Sequence, residues 1–102
     1  MTPVNYSKGD VVSIKFLNSD EVIARIDSIS FVEYRPNKIY VESPMSVMMS
    51  REGFGLVPFI MTMKQGNVIE LNMAHIIAMV ETEEEIRRVY LEKITGLKLI
   101  KL

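Results

Sequence analysis

The chain of 102 residues has no cysteine, no tryptophan and a single histidine. Without cysteine there is no disulfide framework, no Cys-ligated zinc, no thiol nucleophile and no iron–sulfur cluster. One histidine excludes a two-His metal site. Charge of one sign is missing too: 12 Lys and Arg stand against 13 Asp and Glu, for a net charge of −1. Nucleic acid would therefore have to be held by a few placed groups, not by a broad positive field. No apolar run reaches about 18 residues, and the opening MTPVNYSKGD has no basic-then-apolar signal pattern, which predicts a cytoplasmic protein with no membrane partner. No Gly-x-Gly-x-x-Gly, phosphate loop, Gly-x-Ser-x-Gly or His-Glu-x-x-His occurs. We expect no enzyme, no cofactor and no metal.

What the chain does have is apolar surface. Hydrophobic residues make up 48% of it, eight of them Met, and the mean hydropathy is +0.16. Either the core is unusually rich or another subunit covers part of the apolar surface. The length fits a single domain over 1–102.

Residues 10–17, DVVSIKFL, alternate with period 2, pause at Asn18-Ser19-Asp20, and resume alternating over 21–31. This predicts an antiparallel hairpin. Both faces of 21–31 carry apolar residues, as in a long strand buried differently at its two ends. A loop is expected at 32–37, a third strand at 38–42 and its continuation at 45–50, with Ser43-Pro44 marking an edge, bulge or bend. Residues 51–55 read as a turn, 56–63 and 68–71 as strands, and 75–80 as a last short strand. Gln65-Gly66-Asn67 is either a hairpin turn or a kink. The period then changes. Thr82-x-x-Glu85 forms a capping box, Glu83–Arg87 and Glu84–Arg88 are i,i+4 pairs, and Ile86, Val89, Tyr90 and Ile94 make one stripe before Gly96. The pattern predicts a helix over 82–95 and a tail, 96–102, that adds an edge strand or docks on the sheet. Short apolar strands followed by one helix point to a mainly β fold, a small, strongly bent antiparallel barrel.

Gly53-Phe54-Gly55 reads as a chain reversal, and the carboxylate run Glu81 to Glu85 as helix capping. His75 is either a satisfied barrel-end histidine or a polar contact to a ligand or neighbouring subunit. The methionines are either core filler or an adaptable subunit interface. Tyr34-Arg35 is either a solvated loop or a stacking face beside a cation, the arrangement that holds single-stranded bases.

The hairpin DVVSIKFLNSDEVIARI and the ending IELNMAHIIAMVE together resemble the Sm-like family, which includes the Sm and LSm proteins and the bacterial host-factor riboregulators. The pattern, over about 8–81, is similar to small Sm-like proteins attributed to marine phage. The resemblance implies a five-stranded, strongly bent antiparallel barrel of SH3 type. It also implies a homo-oligomeric ring of five to seven subunits, located in the host cytoplasm if the chain is viral. Family members bind single-stranded RNA at the pore. Carried over by position, that implies base contacts from Asn37, Asn72 and His75, and the residues of the first loop would add stacking by Tyr34 and phosphate contacts from Arg35 and Lys38. The family's Arg-Gly pair before the last strand is replaced here by Asn72-Met73, and the loop before Asn37 reads VEYRP. These replacements and the near-neutral charge favour the alternative, a structural or adaptor ring without nucleic acid. The helix over 82–95 would cover an open end of the barrel.

Overall fold

The alternation in 11–26 folds as a hairpin. In the computed structural model, which describes residues 6–64 and 66–96, β1 (Val11–Phe16) and β2 (Glu21–Val32) pair antiparallel from Val11↔Arg25 to Lys15↔Glu21. The polar turn closes as expected. The Asn18 side chain accepts from the Asp20 N–H at 3.0 Å while Ser19 takes a φ of 76°, so a short polar side chain supplies the bond a reversing backbone lacks.

The expected loop at 32–37 is instead ladder. β3 (Arg35–Ser50) begins at once, with Val32 opposite Arg35 and Phe31 opposite Pro36. Only Glu33 and Tyr34 turn, at φ 52° and 67°. Two successive positive values are what a two-residue primed hairpin turn requires. Glu-Tyr lacks the Asn or Gly that normally announces one, so the turn is invisible to residue preference. Ser43-Pro44 does not end β3 but forms a bulge between the pairs Ile23↔Met45 and Arg25↔Glu42, with Ser43 at φ 53° and Pro44 fully buried. A residue pair that opposes one on the partner strand bends the sheet.

The outer edge of β3 carries two strands in succession. β5 (Val68–Asn72) runs along 38–42, and β4 (Gly53–Pro58) along 45–50. The turn expected over 51–55 shrinks to Arg51-Glu52, and the strand expected over 56–63 stops at Pro58, which has no N–H to continue a ladder. A 3-10 turn (Met73–His75) leads to β6 (Ile76–Glu81), which returns to pair with β1. The result is one antiparallel sheet of six strands, ordered β4-β3-β2-β1-β6 with β5 also on β3. It is mainly β with a C-terminal helix, as the pattern predicts. It has six strands, one more than the resemblance implies, because 53–58 and 68–72 pair separately along β3, and these pairings do not close it into a barrel.

Apolar residues on both faces of β2 serve two clusters. Val22, Ala24 and Ile26 join Val12, Ile14, Ile39, Val41 and Leu71 on one face. Ile23 joins Val11, Met45, Leu56 and Tyr90 on the other. The helix α1 (Glu84–Thr95) covers this second face with Ile86, Val89, Tyr90, Leu91 and Ile94. It begins two residues later than expected. Glu83, not Thr82, is the cap, its carboxylate accepting from the N–H groups of Glu85 (2.8 Å) and Ile86 (3.3 Å). Thr82 is buried and its hydroxyl lies 2.9 Å from that of Ser13. The competing tertiary partner takes the capping side chain away. The ion pairs are Arg88 with Glu85 (2.8 Å) and Glu92 (3.3 Å), and Arg87 with Glu84 (3.9 Å), in place of the expected Glu83–Arg87 and Glu84–Arg88. Gly96, at φ 69°, ends the helix as expected, its N–H donating to Glu92 O at 2.9 Å. Of the expected tail all but Gly96, residues 97–102, lies outside the described residues, as does Gln65 of the expected turn.

Candidate functional site

Four of the six candidate binding residues fall at one corner of the sheet. In the β3–β5 ladder Lys38 is directly opposite Asn72, which puts Asn37 beside the 3-10 turn that carries His75. Asn72 caps that turn, its side-chain oxygen accepting from the Ala74 N–H at 2.8 Å. This fixes the amide orientation and leaves the NH2 group as its outward donor. Asn37, Asn72 and His75 are exposed. This exposure leaves the imidazole of His75 open to solvent. Its backbone carbonyl accepts from the Leu17 N–H at 2.9 Å and ties the turn to the β1–β2 connection.

Tyr34 and Arg35 are not at this corner. They occupy the tip of the β2–β3 hairpin, three or four strand residues farther along and so roughly 10 Å away. Tyr34 is wholly exposed. The cation at the corner is already engaged: Lys38 Nζ lies 3.0 Å from Glu70 Oε2, a hydrogen bond that holds its pKa above the ordinary lysine value.

Beside the corner opens a cleft of about 480 Å³ lined by Phe16, Leu17, Asn18, Asp20, Phe59, Glu70, Leu71, Asn72 and His75. Phe16 and Phe59 stack with centroids 5.7 Å apart and planes 5° apart. Sequence reasoning does not bring these two residues together with Asp20 and Glu70, because they come from segments far apart in the chain; only the Asn18-x-Asp20 turn is visible as a local signal. The cleft offers amide donors, an imidazole and two carboxylates beside an aromatic wall. Such a set can hydrogen-bond and pack a planar group, and its carboxylates disfavour a phosphate there. Among the described residues no group of three or more His, Asp or Glu converges to hold a metal, and no helix is long and apolar enough to cross a membrane.

The methionines divide. Met45 is buried, Met63, Met73 and Met79 are half-buried, and Met48, Met49 and Met61 are exposed at 56%, 75% and 73%. Core filling therefore accounts for only part of the set. Further apolar exposure lies on the strands at the two ends of the sheet: Val57 of β4 and Val68 of β5 at one end, Ile77 and Val80 of β6 at the other. No family model matches the chain, and no curated protein matches it significantly.

Proposed function

We propose that this chain is a non-enzymatic subunit of an Sm-like homo-oligomeric ring of five to seven copies, which binds single-stranded RNA. The observation that carries the reading is the pair of unfinished sheet ends. β6 pairs with β1 alone, and β4 and β5 pair with β3 alone, among the described residues. Val57, Val68, Ile77 and Val80, on those three strands, are 37–58% exposed. Exposed apolar edge strands invite uncontrolled pairing unless they are covered. Joining β6 of one copy to the β4/β5 edge of the next satisfies both edges, and such a head-to-tail contact either closes into a ring or grows into a filament.

The RNA part of the reading rests on the corner. Asn37, Asn72 and His75 would hydrogen-bond base edges, Lys38 would contact phosphate, and Tyr34 and Arg35 at the hairpin tip would stack on and neutralise the continuing strand. One weak site per subunit becomes a strong one when several act on the same strand. Light scattering should give the mass of five to seven chains, and anisotropy with oligo(U) and oligo(A) should give binding that Asn37→Ala and His75→Ala abolish. A monomeric mass would remove the ring. Affinity weaker than about millimolar at low salt would remove the RNA role.

The second reading, a structural or adaptor ring without nucleic acid, is favoured by the Lys38–Glu70 pair, which occupies the cation at the corner among the described residues. In that case both alanine variants leave the ring and its partners unaffected.

A further inference from the structure

The cleft beside the corner has a hydrogen-bonding pattern that can be counted atom by atom. Glu70 and Asn72 are two residues apart on β5, both exposed, with the buried Leu71 between them, so their side chains leave the same side of the strand. Asp20, from the β1–β2 connection, lines the same cavity. Part of each group is already engaged. Lys38 Nζ holds Glu70 Oε2 at 3.0 Å, and the Asn18 amide donates to Asp20 Oδ2 at 3.1 Å. Asn72 gives its oxygen to the Ala74 N–H. Asn18 is engaged at both ends, because its oxygen accepts from the Asp20 N–H.

Among the described residues that leaves two carboxylate oxygens and one amide NH2 for a ligand. Ionised carboxylates only accept and the NH2 only donates, whereas His75 does either according to its tautomer and does not decide the pattern. The cleft is therefore matched by a planar group with two donors and one acceptor along an edge, packed against the Phe16–Phe59 pair.

The pairing edges of the bases meet this demand unequally. Uracil carries two carbonyls and a single N–H, so one of the two carboxylates is left without a donor. Cytosine offers one amine beside two acceptors, and adenine one amine beside one acceptor. Guanine offers N1–H and the N2 amine beside one acceptor, O6. We propose that the cleft is a guanine-selective pocket for single-stranded RNA. N1–H and the N2 amine donate to Glu70 and Asp20, O6 accepts from the Asn72 amide, and the base extends the phenylalanine stack. Both carboxylate bonds are charge-assisted. This selectivity rests on the RNA reading above and adds Phe16, Asp20, Phe59 and Glu70 to the residues that reading uses.

Anisotropy with labelled RNAs of about 12 nucleotides, long enough to span more than one weak site, tests it. The strands are oligo(U) and the same strand with alternate uridines replaced by guanosine or by inosine, which lacks the N2 amine. The guanosine strand should bind about tenfold tighter than oligo(U), and inosine should forfeit most of that gain. Asp20→Asn keeps an oxygen for the Asn18 amide but loses the charged acceptor, and should cut the guanosine-to-uridine ratio by about tenfold. Glu52→Gln removes a carboxylate outside the cleft and should leave the ratio unchanged, which separates relief of charge from loss of the acceptor. Guanosine monophosphate as competitor should displace the strand only at about millimolar concentration; displacement at micromolar levels overturns the strand as occupant in favour of a free nucleotide. Equal affinity for the guanosine and uridine strands, or a ratio that survives Asp20→Asn, overturns the pocket and leaves the RNA reading standing. Failure of every strand to bind at low salt removes the RNA reading and the pocket with it.

Discussion

The hydroxyl of Tyr90 donates to the backbone carbonyl of Ser43 at 2.8 Å and also reaches that of Glu42 at 3.3 Å. Ser43 is the bulge residue of β3. The bulge frees carbonyls from the ladder, and the fully buried tyrosine of α1 takes them up, so helix and sheet are locked at one point. Tyr90→Phe keeps the ring and loses the donor. It should cost about 1–2 kcal/mol, the penalty for leaving a buried acceptor unmet. Tyr90→Ala should cost about 3–5 kcal/mol by opening a cavity in the second cluster. Urea unfolding measures both.

The same burial sets a pH dependence. Desolvation pushes the Tyr90 phenol above its ordinary pKa, with Glu42 adding to the rise and Arg25 opposing it. A folded-state value above the unfolded one, about 10, means that folding favours the neutral phenol. Its contribution is complete below pH 10 and is lost as pH climbs beyond it. Tyr6, raised chiefly by burial and then by Glu81 and Asp10, acts in the same direction. Stability should therefore fall on the alkaline side in the parent chain and fall less steeply in Tyr90→Phe. Parallel curves from pH 8 to 11 would remove Tyr90 from the account.

How much of this was legible depended on range. The β1–β2 hairpin, the apolar stripe of α1 and the Gly96 stop follow from spacing within a few residues, and the structure has all three. The helix cap departs from the local pattern because Thr82 has a partner, Ser13, that lies 69 residues away. The turn at Glu33-Tyr34 has no residue signature because strand pairing on both sides imposes positive φ against residue preference. At the candidate site, the alignment of Lys38 with Asn72 emerges only once β5 is in register on β3. The Phe16–Phe59 stack and the Glu70 partner of Lys38 have no local signature at all.

Edge pairing gives a direct prediction for the ring. Ile77 and Val80 are more than half exposed on β6, so Ile77→Lys with Val80→Lys should leave the subunit fold intact. Two lysines on an edge strand oppose addition of another strand. Light scattering should show the assembly reduced toward monomer, while circular dichroism stays that of the parent. An unchanged mass would move the subunit interface elsewhere.

For RNA the informative residue is Glu70. Its carboxylate holds Lys38 at 3.0 Å and competes with any phosphate for the same ammonium. Glu70→Gln should release that cation, raise oligo(U) or oligo(A) affinity by about threefold to tenfold, and steepen the dependence of log K on log salt by about one unit. Lys38→Ala should do the reverse. If Glu70→Gln leaves both affinity and salt slope unchanged, Lys38 is not a phosphate contact.

The hairpin tip makes the final prediction. Glu33 and Tyr34 occupy positive φ, and left-handed backbone costs a residue with a Cβ about 1–2 kcal/mol. Asn-Gly is the pair that such a turn prefers. Glu33→Asn with Tyr34→Gly should therefore stabilise the chain, by about 1 kcal/mol or a rise of about 4–8 °C in Tm, even though it deletes the most exposed aromatic side chain. Thermal unfolding at low concentration, where assembly does not contribute, reads this out. A gain means that Glu-Tyr is worse for folding than the replacement, and whatever keeps it at the tip must act outside the subunit's own stability. A loss means that Tyr34 contributes to the stability of the folded hairpin in spite of its full exposure.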